Sequence, residues 1–139
     1  MRKLLISLAV VFLSGCAVWD AYNMARFDNN EYYLINSVTT NAILGKEQCG
    51  LLTVKKYVKK VWHKSNEFHH YSSAIPNNEE TITMSGELIK ITKGLNDKYN
   101  QEDYVAQAYC KAKFDIIIKN STRIQNVVGG KPRWVSKNK

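Results

Sequence analysis

The chain predicts an all-α fold, an antiparallel bundle of three or four helices. Three observations carry that expectation. Apolar residues recur at alternating spacings of three and four in successive stretches, the signature of one helix face. Three stretches open on clusters of side-chain acceptors and acids, at residues 28–31, 77–80 and 100–103, as helix N-termini do. Pro76 and the small residues before it end the second periodic stretch, because proline disfavours helical geometry in the residue that precedes it.

Taken in order, residues 16–27 mix aromatic and polar side chains, with Trp19, Tyr22, Met24 and Phe27, and read as a tether or short helical entry. Their aromatic rings suit either a lipid interface or a cap on the bundle. Asp28-Asn29-Asn30-Glu31 has the acceptor-x-x-Glu form of a capping box, and Leu34, Ile35, Val38 and Ala42 follow at helical spacing. A first helix over 29–44 is expected, with Gly45 placed to leave it in a left-handed turn.

The clearest periodicity belongs to the second helix, where Leu51, Val54, Val58, Val61, Ser65, Phe68 and Ser72 lie on one stripe. Lys55, Lys56, Lys59, Lys60 and Lys64 stand opposite and give it a strongly basic outer face. A third, weaker helix starts at Asn77-Asn78-Glu79-Glu80 and carries Met84, Leu88, Ile91 and Leu95. Thr81, Ile82 and Thr83 are β-branched, and Gly86 and Gly94 each cost about 1 kcal/mol relative to alanine, so a short hairpin near Thr81 is the alternative. The last helix is expected to open on Asn100-Gln101-Glu102-Asp103, acids that complement the helix dipole. Its stripe of Cys110, Phe114, Ile117, Ser121, Ile124 and Val128 is widened by Val105, Ala108, Ala112 and Ile116, implying a central helix with several neighbours. Gly129-Gly130 ends it and leaves a basic tail over 130–139.

Ahead of these elements stands a different signal. Arg2 and Lys3 precede an apolar run over residues 4–13, broken only by Ser7, which ends in Leu13-Ser14-Gly15-Cys16. The run is too short for the roughly 20 residues that span a bilayer as a helix, and it reads as a signal peptide over 1–15. Leu13-Ser14-Gly15-Cys16 resembles the lipobox of bacterial lipoprotein precursors. That resemblance implies cleavage before Cys16, lipidation of Cys16 with acyl chains of the palmitate type, and stable anchoring of the mature N-terminus by more than one chain. Ala17 stands where an aspartate would favour inner-membrane retention, so the family rule places the anchor in the outer membrane, with the domain facing the periplasm. An ordinary secretory signal with an incidental cysteine, or a buried apolar helix, is the alternative.

Without residues 1–15 the 139-residue chain retains about 124, enough for one domain. The formal charge of +8 becomes about +6 once Arg2 and Lys3 are removed. In an exported protein such a charge points to anionic phospholipid, lipopolysaccharide or an acidic partner rather than to nucleic acid. With Cys16 assigned to lipid, Cys49 and Cys110 remain as a pair, and an oxidising periplasm favours a disulfide over two buried thiols. Cys49 falls near the start of the second helix and Cys110 in the first half of the fourth. A bond between them needs α-carbons within about 7 Å, so those two helices are expected to be neighbours, with the third displaced or folded over one end.

No nucleophile elbow, phosphate-cradling glycine loop or zinc-protease pattern occurs. His63, Glu67 and His70 share a helix face at metal-ligand spacing, but that face is the lysine-rich surface, and no metal or other cofactor is expected. The contact residues are then Lys55, Lys56, Lys59, Lys60 and Lys64, together with Lys131, Arg133 and Trp134 of the tail. The reading is a non-enzymatic lipoprotein, anchored in the membrane, that binds or blocks another envelope protein or an anionic surface. Small phage and mobile-element lipoproteins that alter the host surface resemble it. The alternative is a periplasmic carrier or enzyme with a cavity lined by Tyr57, Trp62, Phe68, Tyr109 and Phe114.

Overall fold

A computed structural model describes residues 24–133, so the expected signal peptide over 1–15, Cys16, most of the expected tether and Trp134 with the rest of the tail lie outside the described residues. Among the described residues four helices follow one another: α1 (Asn29–Glu47), α2 (Val54–Ser73), α3 (Glu79–Gln101) and α4 (Gln107–Gly129). Each packs on two others. The adjacent pairs are α1–α2, α2–α3, α3–α4 and α4–α1, and the diagonal backbones stay apart, so the bundle is a closed up-down-up-down square. Helices of about twenty residues make it roughly 30 Å long.

The expected stripes form most of the core. Leu34, Ile35, Val38 and Ala42 of α1, and Val54, Val58, Val61 and Phe68 of α2, meet Leu88 and Leu95 of α3 and Cys110, Phe114, Ile117, Ile124 and Val128 of α4. Asp28 caps α1, its Oδ1 accepting from the amides of Asn30 at 2.8 Å and Glu31 at 2.9 Å. Thr81 lies inside α3, so the segment that had a hairpin as its alternative is helical.

Several details differ from expectation, each for a physical reason. α1 runs past Gly45, which is buried because α4 approaches closely there: a Cβ at this position would sit 2.4 Å from Phe114 Cζ. Asn100-Gln101-Glu102-Asp103 closes α3 instead of opening α4, and the Lys98–Glu102 pair sits where the expected N-cap would be. Ala108, Ala112 and Ile116 are exposed, so the buried face of α4 is the narrow stripe alone. In α3 the buried line runs Thr81, Ser85, Leu88, Thr92 and Leu95, while Met84 and Ile91 are only half-buried. Hydroxyls bonded to carbonyls one turn back can be buried cheaply, as Thr92 is on Leu88 at 3.0 Å and Ser65 on Val61 at 2.8 Å. Leu51 precedes α2 and faces water.

The disulfide joins Cys49 to Cys110 with α-carbons 5.8 Å apart. It does not make α2 and α4 neighbours. Because α2 starts only at Val54, Cys49 belongs to the exit of α1, and α1 and α4 are adjacent sides of the square running in opposite directions. α3 is a full side of the bundle, not a displaced element.

Candidate interaction surfaces

The two ends of the bundle differ in chemistry. At the entry end, the amide of Ala25 donates to the carbonyl of Asn77 at 3.0 Å, and that of Phe27 to the carbonyl of Pro132 at 2.9 Å. The chain entering α1, the α2–α3 connection and the residues leaving α4 are thereby tied together. Asn77 holds a left-handed φ of 58°, which suits asparagine at a tight reversal.

Beneath this tie sits a buried polar cluster. Lys131 Nζ lies 2.5 Å from Glu31 Oε2 and donates to Asn78 Oδ1 at 2.6 Å. Asn78 Nδ2 donates to Glu31 Oε1 at 2.7 Å and to the Ser72 carbonyl at 2.9 Å. This overturns two expectations. Lys131 is no outward contact for an anionic surface: its side chain is 4% exposed, held inside by the carboxylate. Glu31 does not reach back to close a capping box, since its carboxylate is taken by Lys131 and Asn78. Asn78, the residue before α3, likewise spends its amide on the cluster and makes no side-chain cap. Sequence spacing could not reveal this group, because its members are separated by 47, 53 and 100 residues.

Arg133 is exposed, with its guanidinium 4.4 Å from the centre of the Phe27 ring, a cation–π contact that fastens the start of the tail to the entry segment. Lys64, half-buried, pairs with Glu67 at 2.6 Å. That pairing occupies the carboxylate between His63 and His70, and among the described residues no three histidine, cysteine or acidic side chains converge as a metal site. His69 Nδ1 lies 2.7 Å from Ser85 Oγ, a contact between α2 and α3 that the stripe pattern does not indicate.

Lys55, Lys56, Lys59 and Lys60 are the exposed remainder of the expected contact set. None of the four forms an ion pair among the described residues, in contrast to Lys46, Lys64, Lys93 and Lys98, which pair with Asp115, Glu67, Asp97 and Glu102. Lys55 and Lys56 stand in the first turn of α2, which has no acid and no side-chain cap. Cations there oppose the helix dipole. Elsewhere the electrostatics are local: the hydrogen bond from Lys98 to Glu102 raises the Lys98 pKa above its ordinary value, and burial raises that of the Tyr99 hydroxyl.

At the end opposite the entry, next to the disulfide, Leu51, Leu52 and Tyr104 face solvent. Leu51 is thus outside the core in which its periodicity places it, and no spacing in the sequence marks Leu52 or Tyr104. The aromatic residues considered for an internal cavity are used otherwise: Phe68 and Phe114 are wholly buried in the continuous core, and Tyr57 and Tyr109 pack against it. The larger hollows open to solvent at the surface, such as the one of about 740 Å³ lined by Ile43, Lys46, Asp115 and Ile118. No described helix is long and apolar enough to cross a membrane. No known protein family, characterised protein or solved structure matches the chain.

Proposed function

We propose that this chain is a lipid-anchored envelope protein, held in the outer membrane through Cys16, whose helical domain binds or blocks another envelope component without catalysis. The observation that carries the reading is the apolar run ending in Leu13-Ser14-Gly15-Cys16, the sequence form at which lipoprotein precursors are acylated and cut. The fold is compatible with that placement. Cys16 precedes Met24, the first described residue, by eight positions, and the segment from Met24 onward enters a bundle end closed by Glu31, Asn78 and Lys131. A pull on the tether would therefore reach a hydrogen-bonded end and not a frayed helix. The bundle presents on its outside Lys55, Lys56, Lys59 and Lys60 of α2, which form no ion pair among the described residues, the chemistry of a contact with an anionic surface.

The test is fractionation of the host expressing the wild-type chain or Cys16→Ala. Wild type is expected in the membrane pellet and to resist extraction by salt. Cys16→Ala is expected to lose that anchor and to keep its uncut signal. Equal behaviour of the two chains would remove the anchoring argument.

A further inference from the structure

We propose that the disulfide-braced tip of the bundle, built from residues 50–55 and Tyr104, inserts into an anionic lipid bilayer and so forms a second membrane contact beside the anchor. The proposal rests on the reading of the α2 lysines as a contact for an anionic surface and names that surface.

The apolar part comes first. Leu52 is 93% exposed, Tyr104 79% and Leu51 56%. One exposed leucine is ordinary on a soluble domain, but here two consecutive leucines stand at a chain reversal and line one hollow with a tyrosine. The tip is not a slack loop that could fold these side chains inward. Cys49 is bonded to Cys110, and its carbonyl accepts from Gln107 Nε2 at 2.9 Å. Gly50 turns the chain at a φ of 95°, the Leu51 amide donates to the Gln48 carbonyl at 2.9 Å, and Thr53 Oγ1 donates to Gln48 Oε1 at 2.7 Å. The fold thus braces a loop whose apolar side chains point to water.

The charged part lies directly behind it. Lys55 borders the same hollow, and Lys56, Lys59 and Lys60 continue over the next turns of α2, all exposed and, among the described residues, outside every ion pair. Among the described residues Asp103 is the one acid lining the hollow, and it offsets a single lysine. A pair of protruding leucines backed by cations, with a tyrosine at their side, matches the layering of a bilayer interface. Apolar side chains enter the acyl region, the phenol sits at headgroup level, and ammonium groups meet phosphates. A protein partner fits less well, since the hollow beside the leucines holds only about 130 Å³, too little to seat a helix. The lysines run along α2, so the bundle would meet the bilayer with its α2 side and not end-on.

The test uses the full chain purified from its host and reconstituted with vesicles of phosphatidylcholine alone or mixed with phosphatidylglycerol. Leu52→Trp supplies the probe, read against the wild-type tryptophan background; its site is exposed, and circular dichroism checks the fold. With phosphatidylglycerol present, the added tryptophan should shift its emission to the blue and be quenched by brominated acyl chains. Replacing Lys55, Lys56, Lys59 and Lys60 with glutamine should abolish both effects. Emission that stays at the water-exposed wavelength in both vesicles would overturn the proposal, while co-sedimentation of the same chain would leave the anchor reading intact. Insertion that persists in the four-glutamine variant, or is equal in neutral vesicles, would instead overturn the role of the lysines. Burial of the probe in isolated envelopes but never in vesicles would assign the tip to a protein partner and sink the lipid assignment.

Discussion

Gly45 and Gly94 show how a single residue type serves opposite purposes in one bundle. A methyl group at Gly45 would meet the Phe114 ring at 2.4 Å, whereas nothing lies within 4 Å of one at Gly94. Gly45→Ala should therefore destabilise the fold by roughly 1–3 kcal/mol through overpacking, despite its gain in helix propensity. Gly94→Ala, exposed in α3, should stabilise it by about 0.5–1 kcal/mol. Urea denaturation of both variants reads the pair, and equal effects would contradict the packing at α1–α4. The cluster of Glu31, Asn78 and Lys131 makes a sharper demand. Glu31→Ala leaves a buried ammonium without its counter-charge and should cost about 3–5 kcal/mol, while replacing both Glu31 and Lys131 with leucine and methionine should cost far less. A thermal-unfolding cycle over Glu31→Leu, Lys131→Met and the double would measure that coupling. Neither feature was legible in the sequence. Gly45 reads as a helix end because glycine most often is one, and Glu31 reads as a cap partner because the residue that claims it lies 100 positions away.

At the scale of helices, legibility followed the chemistry of the buried stripe. Every apolar position expected in α1 and within α2 is buried, because a face of Val, Leu, Ile and Phe announces itself at spacings of three and four. α3 hides its face behind Thr81, Ser85 and Thr92, which read as polar yet are buried, Ser85 and Thr92 with their hydroxyls bonded to the carbonyls of Ile82 and Leu88. The basic face of α2 was legible too, except for its energetic cost. Lys55 and Lys56 oppose the dipole in a first turn that lacks both a cap and an acid. Lys55→Glu with Lys56→Glu should therefore raise the melting point, by the equivalent of about 0.3–1 kcal/mol per charge, while weakening attraction to anionic vesicles. A stability gain combined with lost vesicle contact is what a functional surface predicts. Lost stability would show that the two lysines support the fold instead.

Considered as a whole, the molecule is a square bundle whose two ends are fastened by different means, a buried ion pair at the entry and a disulfide at the tip. The all-helical architecture and the Cys49–Cys110 pairing could be read from periodicity and from cysteine arithmetic. Neighbour relations could not, because an error of a few residues in the start of α2 moved Cys49 from one helix to another. The bond closes a loop with a sequence separation of 61 and should contribute about 4 kcal/mol in the chain-entropy description. Reduction, or Cys49→Ser with Cys110→Ser, should lower the melting temperature by on the order of 15 °C, as differential scanning calorimetry would record. The proposed export would make the bond reasonable, and that proposal in turn rests on the first sixteen residues. The most direct measurement is intact-mass spectrometry, without reductant, of the chain extracted from its host's membranes. The account predicts a protein lacking residues 1–15, carrying acyl groups on Cys16 and showing the mass deficit of one disulfide. A full-length, unacylated chain with free thiols at Cys49 and Cys110 would contradict it.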